Sequence, residues 1–293
     1  MSLSDDTEAG AMAPDGVVLR AMQADDLGVA HALSLEVHWP HRLADWQLVF
    51  ELGQGIVAER DGELVGAAMS WLWGPGHATL GLVIVDPRCR GRRIGFRMMQ
   101  ALLATLPGRS ILLNATQAGR GLYERLGFVR VGEVRQHQGT ALSAPLVALA
   151  EGWRLRPSDH NDQASLIKLD ALARGMPRDH LLTGLLTQAD TVVLDYADQA
   201  RGFAMLRRFG RGLVIGPVVA PDAAGAMALI AYLVGLSAGK FVRIDVDFDG
   251  GLTEWLESLG LLRVDMATEM LRGSMPAGEA VVRRFALVTQ ALG

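Results

Sequence analysis

Two halves of this 293-residue chain repeat one pattern at a nearly constant distance. VVLRAMQADD resembles WRLRPSDHND, with Leu19-Arg20 falling on Leu155-Arg156. GIVAERDGELVG resembles TVVLDYADQARG without a gap, so Gly66 falls on Gly202, 136 residues later. IVDP at 84–87 matches VVAP at 218–221, and YERLGF at 123–128 matches LESLGL at 256–261, at offsets of 134 and 133. Solenoid repeats are far shorter, so a period this long means a duplicated domain. The length agrees, at roughly 150 residues per domain. The expected layout is a disordered lead-in at 1–16, a first domain at 17–137 and a linker at 138–152. A second domain at 153–273 follows, and then a tail at 274–293, SMPAGEAVVRRFALVTQALG, that reads as a helix packing back on the body.

The first repeat punctuates regularly. VVLRAM reads as a strand, and Asp25-Asp26 can cap the helix after it. RLADWQLVFEL reads as a second helix stopped by Gly53. Asp61-Gly62 between GIVAER and ELVGAAMSWLW is the strongest hairpin signal in the chain. HATLGLVIV, ILLNAT and FVRVGEV read as strands, with helices after Gly95 and over AGRGLYERLG. The order β-α-α-β-β-β-α-β-α-β predicts an α/β (α+β) domain with a mixed sheet and helices on its faces.

Composition excludes several classes. Half of the chain is hydrophobic, which rules out long disorder. A net charge of −4 argues against a nucleic-acid coat or a polybasic membrane protein. Cys89 is the lone cysteine and no Cys/His cluster has zinc spacing, so no disulfide and no metal are expected. The uncharged stretch Ala223 to Gly239 reads as a buried helix, and the acidic N-terminus is unlike a secretory signal. The expectation is a cytoplasmic protein with no membrane or nucleic-acid partner.

One segment concentrates positive charge in this acidic chain. VIVDPRCRGRRIG places Arg88, Arg90, Arg92 and Arg93 in six residues, after a strand ended by Pro87 and before a helix. A glycine turn feeding a helix N-terminus aims backbone N–H groups and the positive dipole end at one spot, which suits phosphate. A solvated basic loop or a small RNA-type patch is the competing reading, and the strand-turn-helix context favours the anion cradle. It is neither a Walker A loop nor a Rossmann fingerprint, because no G-K-[ST] follows and G-x-G-x-x-G is absent.

V-x-P-x-x-R-G-x-x-I-G before a helix resembles motif A of the GNAT superfamily of acyl-CoA N-acyltransferases. AGRGLYERLGF resembles the same superfamily's motif B. The likeness covers residues 17–135 well and 153–272 more faintly, and it implies a tandem GNAT fold using acetyl-CoA as cosubstrate. By that resemblance Val83, Ile84 and Val85 would pair with the pantetheine arm. Gly91, Arg92, Arg93, Ile94, Gly95 and Phe96 would offer N–H groups to the pyrophosphate, with Arg90 anchoring the loop. Tyr123 would be the general acid for the departing thiolate, since a phenol near pKa 10 suits a thiol. Two positions depart from the pattern: Arg93 replaces the usual glycine, and Thr116 replaces a frequent asparagine.

The strand TLGLVIV carries no carboxylate base. Candidates for base and acceptor contacts lie instead in EVHWPHRLADW: Glu36, His38, Trp39, His41 and Asp45. Trp71 and Trp73, sharing one strand face, could join Trp39 and Trp46 around an acceptor, with sheet packing as the competing role. His137 is a further polar candidate. In the second repeat DAAGAMAL replaces RCRGRRIG and Leu256 replaces Tyr123, so that copy is read as degenerate. Its Asp245, Asp247 and Asp249 could attract a cation, although a solvated strand end is the favoured reading. The expected activity is acetyl transfer to a primary amine of a small molecule, in a chain that could form a homodimer. Alternatives are a thiol-pathway synthase resembling mycothiol synthase, a CoA- or metabolite-binding regulator, and an anion- or RNA-binding loop.

Overall fold

The computed structural model describes residues 16–144 and 147–293. The lead-in expected at 1–16, save its last residue, and residues 145–146 of the expected linker lie outside the described residues. The chain divides into two compact units: one up to Ser70 together with Leu82–Pro107, the other Trp71–Gly81 with Gly108–Gly293.

In unit one, β1 (Val17–Ala21) pairs antiparallel with β2 (Gln54–Arg60), and β2 with β3 (Glu63–Trp73) from Gln54↔Ser70 to Arg60↔Glu63. Asp61 and Gly62 close the hairpin with φ of 54° and 81°, the two positive angles of a type I′ turn. Helices α1 (Leu27–Glu36), α2 (Leu43–Leu52) and α3 (Ile94–Ala104) belong to this unit, together with β4 (His77–Val85) from Leu82 onward. The Arg20 guanidinium forks onto Asp26 at 2.7 and 2.8 Å and reaches Glu59 at 2.9 Å. Asp26 also accepts the Gln23 N–H, and the bond from Arg20 holds its carboxyl well below the usual carboxylate range.

Unit two repeats this device. Arg156 forks onto Asp162 at 2.6 and 2.7 Å and reaches Asp195 at 3.0 Å, while Asp162 accepts the Asp159 N–H. Each of these residues stands 136 positions after its counterpart, so the duplication is written into side-chain contacts as well as strands. The strands return as β7 (Trp153–Pro157), β8 (Asp190–Tyr196), β9 (Gln199–Phe209) and β10 (Gly212–Ala220). The helices return as α5 (Gln163–Arg174), α6 (Asp179–Leu186) and α7 (Ala223–Leu236), the last being the buried helix expected there. Among the described residues no helix is long and apolar enough to cross a membrane.

The two copies exchange strands, which the expected boundaries of 17–137 and 153–273 do not anticipate. Unit two runs in the order β4, β5 (Ser110–Ala115), β12 (Leu262–Arg272), β6 (Val129–Thr140), β11 (Phe241–Asp247), β13 (Arg283–Ala286), β10, β9, β8, β7. Strand β5 of the first copy takes the last strand of the second, from Ile111↔Arg272 to Ala115↔Thr268. Reciprocally, β11 of the second copy takes the last strand of the first, from Phe241↔Thr140 to Asp247↔Val134. Because β11 offers it a partner, β6 runs on through Thr140, so residues 138–140 are strand rather than linker.

The tail is also corrected. Residues 283–286 form β13 instead of a helix, and β13 enters between β10 and β11. Those two strands run parallel only from Leu213↔Val242 to Ile215↔Ile244. Beyond that point Val218 pairs with Ala286 and Ala220 with Arg283, so β13 fills the opening. The spacing of Val282 and Phe285 allows either structure, and a vacant ladder edge with a buried place for Phe285 selects the strand.

A deeply buried ion pair lies in unit two. Arg178 meets Asp170 at 2.6 and 2.9 Å, each side chain 1% exposed, and also donates to the Leu292 and Gly293 carbonyls. Removing the cation strands a buried carboxylate. Arg178→Met should therefore cost about 3–5 kcal/mol in urea denaturation, and adding Asp170→Leu should restore most of it. A loss under 1 kcal/mol in the single variant would contradict the burial described.

Candidate active site

Strand β4 breaks its regular pattern at Leu82. Its ladder with β5 runs from His77↔Ser110 to Leu80↔Leu113, and Leu82 then takes φ 52°, a left-handed angle that costs a leucine about 1–2 kcal/mol. Strand β10 breaks at the matching place, where its ladder with β9 skips Gly216 and Pro217. Within unit one the segment continues with Val83 and Val85 half-buried and Ile84 buried, and the Asp86 N–H donates to the Val65 carbonyl. These are the three residues expected at the strand opening.

The arginine turn follows. Asp86 caps it by accepting the Arg88 N–H at 2.8 Å, and the Arg88 guanidinium folds back on the same carboxylate at 2.6 to 3.1 Å. Arg88 is thus spent on holding the turn, and its bond keeps the Asp86 carboxyl below the ordinary range. Arg90, Gly91, Arg92 and Arg93 are exposed, and among the described residues Arg90 and Arg92 have no ion pair. Gly91 has φ 80°, and Arg93, the N-cap of α3, has φ 60° and ψ 14°. Its guanidinium lies 5.2 Å from the Phe96 ring centroid. Ile94 is buried and anchors the helix, while Gly95 and Phe96 are half-buried. An eleven-residue helix with an exposed glycine turn and free guanidiniums at its N-terminus is suited to a polyanion.

The glycine-to-arginine departure keeps the backbone conformation and accepts its strain. Arg93→Gly should raise stability by roughly 0.5–1 kcal/mol in urea denaturation, as the left-handed cost is relieved and partly offset by chain entropy. A destabilised variant would show that the Arg93 side chain does more for the fold than its contact with Phe96 implies.

Tyr123 belongs to unit two, on the short helix α4 (Arg120–Glu124). Its ring packs edge-on to Phe128 at 6.1 Å, and burial pushes its phenol above the ordinary value of 10. No described residue hydrogen-bonds its hydroxyl, and that oxygen is not among the sealed unpartnered polar atoms. The phenol therefore stays protonated at neutral pH with its proton uncommitted. Thr116 braces the turn before this helix, its hydroxyl accepting the Gly119 N–H at 3.2 Å.

The acceptor candidates separate. In unit one Glu36 ends α1 exposed, and its field reaches Arg88; His38 is exposed at φ 61°. Trp39 stacks tilted on His41 at 5.8 Å, and His41 sits 6.5 Å from Trp46. Asp45 is corrected as a base: it is buried, accepts the Arg42 N–H and is clasped by the Arg42 guanidinium at 2.6 Å. Trp46 is sealed in the core and donates to Ser34. In unit two Trp71 and Trp73 are also sealed, with Trp73 donating to Thr79 at 2.9 Å, so both serve packing. His137 is corrected too. It is fully buried in β6, its Nδ1–H donating to the Leu261 carbonyl, and burial pushes its pKa down.

The second copy lacks the counterparts of these residues. Leu256 of α8 (Thr253–Ser258) is buried where the first copy has Tyr123, and the turn before α7 carries no arginine. The opening between β10 and β11 is occupied by β13. The solvated reading of the acidic stretch is overturned for Asp245, buried and forked by Arg243 at 2.8 to 3.1 Å, and for Asp247, forked by Arg284, whereas Asp249 is exposed.

The duplicated mixed-sheet domain thus keeps an exposed arginine turn at a helix N-terminus in one copy and fills the matching strand opening of the other with β13. The acetyltransferase (GNAT) family model matches residues 24–128, and an acetyltransferase (GNAT) domain model matches residues 166–282, together more than half of the chain. The chain belongs to the GNAT superfamily and is a tandem GNAT acyltransferase. It is 28% identical over 237 residues to the uncharacterized N-acetyltransferase YitH of Bacillus subtilis (strain 168), covering 79% of this chain and 82% of that one. In fold it is similar to a protein of Pyrococcus horikoshii described as an acetyltransferase, at TM-score 0.76 and 20% identity over 98% of this chain and 100% of that one. It is similar also to a tandem GNAT protein from the clavulanic acid biosynthesis pathway, at TM-score 0.61 and 14% identity over 87% and 98%.

Proposed function

We propose that the chain is an acetyl-CoA-dependent N-acetyltransferase acting on a primary amine of a small molecule, with only the first copy competent for the donor. One contrast carries the reading. Both copies keep the strand-turn-helix, but the first leaves its arginine turn exposed and the second fills its strand opening with β13. The same contrast disfavours a synthase with donors in both copies.

The N–H groups of Gly91 to Phe96 would hold the pyrophosphate of the donor, with Arg90 and Arg92 supplying charge-assisted contacts. Val83 to Val85 would pair with its amide-bearing arm, and main-chain N–H groups there would polarise the thioester carbonyl. The donor supplies an activated acyl group. Attack by a neutral amine forms the C–N bond and breaks the C–S bond; Tyr123 delivers a proton to the leaving sulfur, and the ammonium proton passes to solvent. The test is thiol release from acetyl-CoA over a panel of amines, polyamines, amino acids and peptides. Turnover dependent on a primary amine is the expected result, and silence across the panel at millimolar amine would overturn it.

A further inference from the structure

Unit two carries an open cavity of about 460 Å³ that the proposed reaction does not use. Its walls come from the end of α5, the start of β6, the turn after β11, Glu269 of β12 and the segment leading into β13. Two of its carboxylates are answered from within: Arg284 bonds both Asp247 and Glu269. What remains is a separation of charge. Arg174 is 9% exposed, its Nε is sealed, and among the described residues its guanidinium has no hydrogen bond or ion pair. Burial and the neighbouring Arg178 press its pKa down to about 10, which leaves it charged at neutral pH. Glu269, Asp170 and Asp247 supply a negative field around it, but Asp170 is locked by Arg178 and the other two are bonded by Arg284. At the outer rim Asp249 and Glu279 are exposed and have no ion pair among the described residues.

A buried guanidinium with no hydrogen-bonded anion costs several kcal/mol. A phosphate dianion would satisfy Arg174 but would also face the carboxylates of the same wall. A carboxylate carries one charge, matches the guanidinium fork, and leaves the outer acids to bind a cation on the same molecule. We propose that this cavity binds a small amino carboxylate, with its carboxylate on Arg174 and its ammonium toward Asp249 and Glu279. The volume lies within the range of small-molecule sites and accommodates a free amino acid. This site stands apart from acyl transfer and holds whether or not Tyr123 acts as an acid.

The test is calorimetric titration of the full chain, without CoA, using the twenty free L-amino acids. Acetate, inorganic phosphate and putrescine serve as probes of one function each. Saturable binding of at least one amino acid, tighter than all three single-function probes, is the expected result. Arg174→Met should weaken it about 10–100-fold, as loss of a charge-assisted bond does, while melting no earlier than the parent. Asp249→Asn should weaken it less, and should leave any acetate binding unchanged. Phosphate binding as tightly as the best amino acid, no saturable amino acid, or undiminished affinity in Arg174→Met would each overturn the proposal.

Discussion

A chain cut after residue 152 should not give a folded monomer. The cut removes β12 and β11, which flank β6 on its two sides, and it takes from β5 the partner running from Thr268 to Arg272. Val134 and His137, both fully buried, would lose their cover. Two unpaired edges and a stripped core face exceed the stability of about 5–15 kcal/mol that a domain of this size holds. Light scattering after size-exclusion chromatography, with near-ultraviolet circular dichroism, reads the outcome. Aggregate, or a dimer in which a second copy supplies the missing strands, agrees with the exchange. A monomer with a cooperative melt close to that of the full chain would show that the exchanged strands are dispensable.

Tyr123→Phe should lower kcat by about 10²–10⁴-fold, the usual worth of a positioned general acid, with little change in KM for acetyl-CoA. The hydroxyl has no protein partner among the described residues, and the ring contact with Phe128 survives, so stability should stay within about 0.5 kcal/mol. The pH profile adds a signature. Burial raises the phenol, so its acid form persists above pH 10, and activity should not fall from tyrosine ionisation below that pH. A variant within threefold of the parent would remove Tyr123 from the chemistry.

Local signals in the sequence carried far. Asp61-Gly62 makes the hairpin because a type I′ turn, with two positive φ angles, matches the strand twist, and Gly53 ends α2 as expected. The duplication was legible from four matched segments, and the paired Arg20 and Arg156 networks extend it to side chains. Contacts made far along the chain were not legible. Nothing local in LRVDMATEMLR says which β5 or β6 it joins, because a strand pattern states a face and not a partner. The tail was misread for the same reason, its apolar spacing fitting a helix until the edge of β10 is considered. The strand-turn-helix around the arginines was legible from its motif, whereas the partners of Arg88, Asp45 and His137 depended on which neighbours reach them. Arg174 gave no signal at all, since an arginine ending a helix is ordinary until its burial is known.

The central claim is one donor site per chain, at the arginine turn of the first copy. Calorimetric titration of CoA into the full chain measures it directly. The account predicts one equivalent bound, and none detectable in Gly91→Asp, which puts an acidic side chain on a turn residue at φ 80°. Two equivalents, or binding that survives Gly91→Asp unchanged, would contradict it.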